Sequence, residues 1–217
     1  MLIFDCTQAA CQFFSGKVKG ELVGRVEPAS AASLLSTDRE NIERWQLHTT
    51  KFGKTNILVA MHVETRYAML FVGLKRNDVD GFLRQFIPRY LGGMELMALN
   101  MGLVMPPEAE LNRHVNEWAD TLEDVHFYKR GDRSVQAHIN DVLYLAAHEA
   151  YEGPGLPIEL GGLVEFDGIA NRFLRSIKGG DYFRPAETAF QKAYRHLGIG
   201  MEPEEVAQAH QRWFAGK

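Results

Sequence analysis

His138, Asp141, Leu145 and His148 follow one another at spacings of three, four and three, which on an α-helix sets them along one side. Neutral imidazole and carboxylate both carry lone pairs, so the set can move protons or contribute ligands to a borderline metal. His138 and His148 nevertheless lie about 15 Å apart along a straight helix, too far to share one ion. A His138–Asp141 or His148–Glu152 pair would need His48, His62 or His126 from elsewhere in the chain. The pattern is not H-E-x-x-H, and no metal or cofactor is expected. Arg133 precedes His138 and offers a guanidinium for developing phosphate charge. The candidate catalytic set is therefore His138, Asp141, Arg133 and His148, and its chemistry would be phosphodiester hydrolysis.

Two basic segments could hold anions. In HFYKRGDRSV, Lys129, Arg130 and Arg133 surround Gly131-Asp132, and Ser134 is the expected cap of a helix whose free amides favour an oxyanion. In NRFLRSIKGGDYFR, Arg172, Arg175, Lys178 and Arg184 alternate with Phe173, Tyr182 and Phe183. Cations there could meet a nucleic-acid backbone while an aromatic ring stacks on a base. Each set also has a plain structural reading. Arg133 can form a salt bridge, Ser134 can simply cap, Phe173 can enter the core, and the basic side chains can be solvated. Nucleotide-triphosphate, Rossmann and nucleophile-elbow patterns are absent.

These residues need a scaffold, and Trp45–Leu74 provides the densest strand signal. It reads as three antiparallel strands, Trp45–Lys51, Asn56–Val63 and Tyr67–Leu74, joined at FGKTN and VETR. Leu58, Ala60 and His62 alternate against Ile57, Val59, Met61 and Val63, while the third strand is apolar on both faces and is expected to be covered twice. Leu2–Phe4 reads as a short strand, followed by a helix over Thr7–Phe14. Ala29–Leu35 is a short helix or loop, and STDRENIER is a polar connection or short helix.

Asp78 should cap a helix that ends at Gly92-Gly93, with MELMALNMG a shorter helix after it. Its Met94, Met97, Met101 and Met105 read as irregular core packing. Leu111, Val115, Trp118, Ala119 and Leu122 mark a further helix with an acidic outer face. VHFYKRG is expected at the edge of the meander. Ser134–Glu152 is a helix buried through Val135, Ile139, Val142, Leu143 and Ala146. A short strand and then a helix bearing Ile169, Phe173, Leu174 and Ile177 should follow Gly161-Gly162. Two C-terminal helices complete the chain. The fold class is α+β: a small, mainly antiparallel sheet centred on residues 45–74, covered by helices. One domain spans 1–217, with 186–217 a helical extension.

The 217 residues suffice for one substantial core, and a formal charge of −4 gives no global attraction to nucleic acid. The opening MLIFDCTQAACQFFSG lacks the basic and apolar regions of a signal peptide, and no stretch is apolar enough for a membrane span. Cys6 and Cys11 form no C-x-x-C pair and read as buried small side chains. A cytoplasmic protein with no membrane association is the expectation.

The pieces MLIFDCTQ, ILVAMHVETRYAMLFVGLKRNDVDGF and FYKRGDRSVQAHINDVLY resemble, in that order, a family of uncharacterised bacterial domains of unknown function. The resemblance covers roughly 1–150, with a weaker continuation near GGLVEFDGIANR. It implies Thr7, Arg133, Ser134, Asn140 and Asp141 as family-like polar positions and brings no assigned catalytic role.

With no complete mechanism in the residues, an interaction or regulatory module with a protein partner is the first reading. A small phosphodiester hydrolase using a His/Asp/Arg site is the alternative. Nucleic-acid binding through Arg133 and the Arg172–Arg184 patch is a third.

Overall fold

A computed structural model describes residues 1–18, 21–29, 42–177 and 179–215. Its centre is a six-stranded sheet. Strands β1 (Leu2–Cys6), β4 (Val26–Pro28), β5 (Glu43–Phe52), β6 (Thr55–His62), β7 (Ala68–Val72) and β8 (Val125–Lys129) lie in the order β4-β8-β1-β5-β6-β7. The meander β5-β6-β7 is antiparallel, with Thr50 opposite Ile57 and Ile57 opposite Val72. The ladders β1–β5, β1–β8 and β4–β8 are parallel. The α+β sheet expected around residues 45–74 is thus present, extended by a parallel half that the sequence reading did not contain. A separate hairpin pairs β2 (Ser15–Val18) with β3 (Glu21–Gly24).

Helices cover both faces. On one side pack α1 (Gln8–Phe14), α2 (Val79–Asn100), α3 (Glu108–Thr121), α6 (Pro185–Ala193), a 3₁₀ turn (Tyr194–Leu197) and α7 (Pro203–Ala215). On the other pack α4 (Arg133–Tyr151) and α5 (Leu160–Ala170). Strand alternation sorts the side chains: Leu58, Ala60, Met69 and Phe71 enter the first layer, and Ile57, Val59, Met61, Ala68 and Leu70 enter the second. In the first layer the Phe4 ring lies 5.2, 5.0 and 4.9 Å from those of Phe82, Phe86 and Phe127, joining two strands to α2 through edge and stacked contacts. The Ala186, Phe190 and Leu197 side chains belong to that same core.

Five expectations are corrected. VHFYKRG is not at the meander's edge; β8 lies inside the sheet between β4 and β1. Helix α2 does not stop at Gly92-Gly93 but runs on to Asn100, because Leu91, Met94, Met97 and Ala98 continue its buried stripe. Burial outweighs the roughly 1 kcal/mol that each glycine costs. After Glu159 the helix comes first, and the short strand β9 (Arg175–Ser176) comes after it, paired with β10 (Tyr182–Phe183). Phe173, Leu174 and Ile177 lie beyond α5 and are exposed, so Phe173 is not in the core. Glu43 and Arg44, expected in a polar connection, begin β5, where Glu43 is buried against His62. The expected helix or loop at Ala29–Leu35 lies, from residue 30 on, outside the described residues, and so does Lys178.

Candidate functional site

Helix α4 is fixed by its entry and by its buried stripe. Asp132, not Ser134, is its cap: the carboxylate accepts the Ser134 and Val135 amides at 2.7 and 3.2 Å. The fully buried Gln46 of β5 holds the Asp132 backbone, accepting its N–H at 2.6 Å and donating to its carbonyl at 3.3 Å. Val135, Ile139, Val142 and Ala146 then bury against β6 and β7. That rotation leaves Ser134, His138, Asp141, Leu145 and His148 along one border.

The border forms a wall of a groove of about 650 Å³. His138, Asp141 and His148 line it from α4, and the Ala170–Ser176 segment and Tyr182 close the far side. Three of the four expected catalytic residues are therefore brought together. Arg133 is not among them; it is exposed in the first turn of α4 and does not line the groove. Arg175, expected only as part of a basic patch, sits there instead. It is buried, donating from Nη1 to the His138 carbonyl at 3.1 Å and from Nη2 to the Ala170 carbonyl at 3.4 Å. Its Nη1 is 3.9 Å from Asp141 Oδ2, an ion pair without a hydrogen bond.

Arg66 is the residue beside this helix face that sequence reasoning missed. It occupies the β6–β7 turn with φ of 59°, a left-handed conformation uncommon outside glycine. Its side chain is buried and donates from Nη2 to Ser134 Oγ at 2.7 Å. Ser134 thus receives a guanidinium instead of capping the helix. Nothing local in VETR distinguishes this arginine from an ordinary solvated turn residue.

Burial, followed by the positive charges of Arg175 and Arg66, lowers the pKa of His138 below its ordinary 6.5. Both effects favour the neutral imidazole. The rim pair His148–Glu152, 3.1 Å apart, is largely solvated and contributes little to stability. The other histidines considered as extra ligands point elsewhere: His48 bonds Thr7 at 3.1 Å, His62 pairs with Glu43 at 3.2 Å, and His126 with Asp124 at 2.9 Å. Among the described residues no group of three or more His, Cys, Asp or Glu could hold a metal ion.

The remaining candidate cations among the described residues do not join the groove. Lys129, Arg130 and Arg133 are exposed around the turn after β8, and Lys129 borders a second cavity of about 670 Å³ shared with Cys11. The Arg172 guanidinium lies 5.3 Å from the Trp213 ring centre, and that of Arg184 lies 4.3 Å from Phe214. These contacts tie the 172–184 segment to α7. No helix among the described residues is long and apolar enough to cross a membrane.

Residues 3–188 match a family described as Domain of unknown function (DUF6933). No curated protein and no solved structure matches the chain.

Proposed function

The chain belongs to that family, and we propose that it is an interaction or regulatory module whose docking surface is the α4 groove with its apolar rim. One observation carries this reading. Tyr144, Tyr151, Ile158, Leu160, Ile169, Phe173, Leu174, Ile177 and Tyr182 are exposed large apolar residues clustered in a single stretch of sequence. Among the described residues, only Leu96, Leu99 and Val104 are comparable elsewhere. Tyr144 and Tyr182 are 80% and 75% exposed, and both border the groove. Of the nine, Tyr144, Phe173, Leu174 and Tyr182 line this concavity, and apolar side chains so placed are what a partner buries against. The partner suited to it is a polypeptide segment that presents apolar side chains to the rim.

Tyr144→Asp combined with Leu174→Asp tests the reading, since both positions are exposed and the fold should tolerate them. Partners captured by the wild-type chain under native conditions are compared quantitatively with those captured by the double variant. Selective loss of a stoichiometric partner, with unchanged thermal unfolding, is the expected result. Equal capture by both proteins removes the groove from the function.

A second reading, metal-free phosphodiester hydrolysis, draws support from the placing of His138, whose surroundings favour its neutral form, in the same groove as Asp141 and Arg175. In it His138 takes the proton from water, Asp141 orients it, and Arg175 takes the place expected of Arg133. Turnover of bis(p-nitrophenyl) phosphate that disappears in His138→Asn is its test; turnover unaffected by that substitution rules it out. Nucleic-acid contact has less support, because Arg175 is buried and Arg172 and Arg184 lie against aromatic rings.

A further inference from the structure

Two buried guanidinium groups bracket one face of α4, and donors are left over on both. Arg66 and Arg175 are 3% and 5% exposed. Along the helix Ser134, His138 and Asp141 succeed one another at four and three residues and so share a face. Arg66 is anchored on Ser134 at one end. Arg175 is anchored on the His138 carbonyl and leans toward Asp141 at the other. The charges of both guanidinium groups are felt at the His138 imidazole.

Nε and Nη1 of Arg66 and Nε of Arg175 are buried donors that meet no hydrogen-bond partner among the described residues, and Nδ1 of His138, donor or acceptor according to the tautomer, is likewise unpartnered. A buried unpaired donor costs about 1–3 kcal/mol, and more when it is charged. Two like charges in a poorly solvated site add repulsion. The carboxylates within reach do not answer these donors. Asp132 caps α4, and the Asp141 side chain is 73% exposed, beyond hydrogen-bond length from Arg175.

We propose that Arg66, Arg175, His138 and Ser134 form a binding site for a tetrahedral oxyanion, either inorganic phosphate or the phosphate of a monoester. Two fixed guanidinium charges match a dianion, and the phosphate oxygens can accept from several donors at once. Ser134 Oγ accepts from Arg66 and keeps its own proton to donate. Arg175 and His138 line the groove, which gives the anion its entry. The site depends neither on docking at the apolar rim nor on turnover, so it can stand or fall independently of both readings above.

The test is titration with sodium phosphate and, separately, phenyl phosphate at constant ionic strength, with sodium chloride as the control. Thermal unfolding and the imidazole resonances of His138 are followed. The wild type should show a saturable rise in Tm with either probe, and the His138 pKa should rise as the bound anion favours imidazolium. Arg66→Lys and Arg175→Lys, which keep the charge but lose the fork, should each weaken apparent affinity at least tenfold. Ser134→Ala, at an exposed position, should weaken it several-fold without endangering the fold, while Arg133→Gln should leave it unchanged. Tighter binding of phenyl phosphate assigns the site to a monoester whose body lies on Phe173 and Leu174; equal binding assigns it to the free ion. A wild type with no saturable response to either probe, or variants that all respond like the wild type, would overturn the proposal.

Discussion

Asn171 pairs with Ala68 as another strand of the sheet would. Its Oδ1 accepts the Ala68 N–H at 2.7 Å, and its Nδ2 donates to the Ala68 carbonyl at 2.7 Å. Two residues along, Asp167 Oδ1 accepts the Leu70 N–H at 2.9 Å. The outer edge of β7 is thereby closed by side chains from the end of α5. An edge left open would be a template for pairing with another chain.

Asn171→Ala should therefore cost about 2–4 kcal/mol, since it leaves two buried peptide groups without partners. Urea unfolding measures the loss. A change below about 0.5 kcal/mol would mean that water or a rearranged loop takes over the pairing.

The companion carboxylate gives a pH signature. Burial pushes the Asp167 carboxyl from an ordinary 3.8 up to about 6, against the pull of Arg89 and the Leu70 amide. A raised folded-state pKa contributes stability that is complete below the unfolded value and is lost as pH rises through about 6. Asp167→Asn lacks this proton, and it also leaves the buried Arg89 without its counter-charge. The stability gap between wild type and variant should accordingly narrow between pH 4 and pH 7. A gap that widens with pH would show that Arg89 dominates.

Gln46 is the peg that seats α4. Gln46→Leu keeps the volume but removes both bonds to the Asp132 backbone. The cost should be about 1–3 kcal/mol. Amide exchange at Ser134 and Val135 should accelerate more than at Ile139, because the cap loosens while the helix body stays packed. Uniform exchange along α4 would refute the local role.

Cys11 offers a thiol test. A hydrogen bond from Cys6, helped by the charge of Lys129, lowers its pKa from 9.0 to about 7 despite the opposing effect of burial. Ultraviolet thiolate absorbance should titrate near that value in the wild type. Cys6→Ala should move the midpoint upward, and Lys129→Ala should move it upward by less. An unchanged midpoint in Cys6→Ala would remove the hydrogen bond as the cause.

The meander and the His138–Asp141–His148 border were legible because both rest on local periodicity: two for strands, near 3.6 for the helix. The place of β8 was not. Its neighbours are Leu2–Cys6 and Val26–Pro28, and no property of VHFYK distinguishes an edge from an interior parallel strand. Arg175 was legible as a cation but not as the buried side of a groove, since that depends on β9 returning past His138. Arg66 had no signal at all. Its role follows from a left-handed turn and from Ser134, which lies far along the chain. Helix α2 shows the converse: Gly92-Gly93 is a valid local stop that the core contacts of Met94 and Met97 override.

The interior position of β1 has a consequence for synthesis. Leu2–Cys6 leaves the ribosome well before its partners, which begin at Glu43 and Val125. Until Lys129 has emerged, one side of β1 has no partner in the sheet, and the meander can form only around an unfinished neighbour. Pairing across such sequence separation is slow, and a strand edge left open meanwhile invites mispairing. Translation speed between Leu74 and Lys129 should thus govern the yield of correctly assembled protein, even though β8 itself is only a short strand.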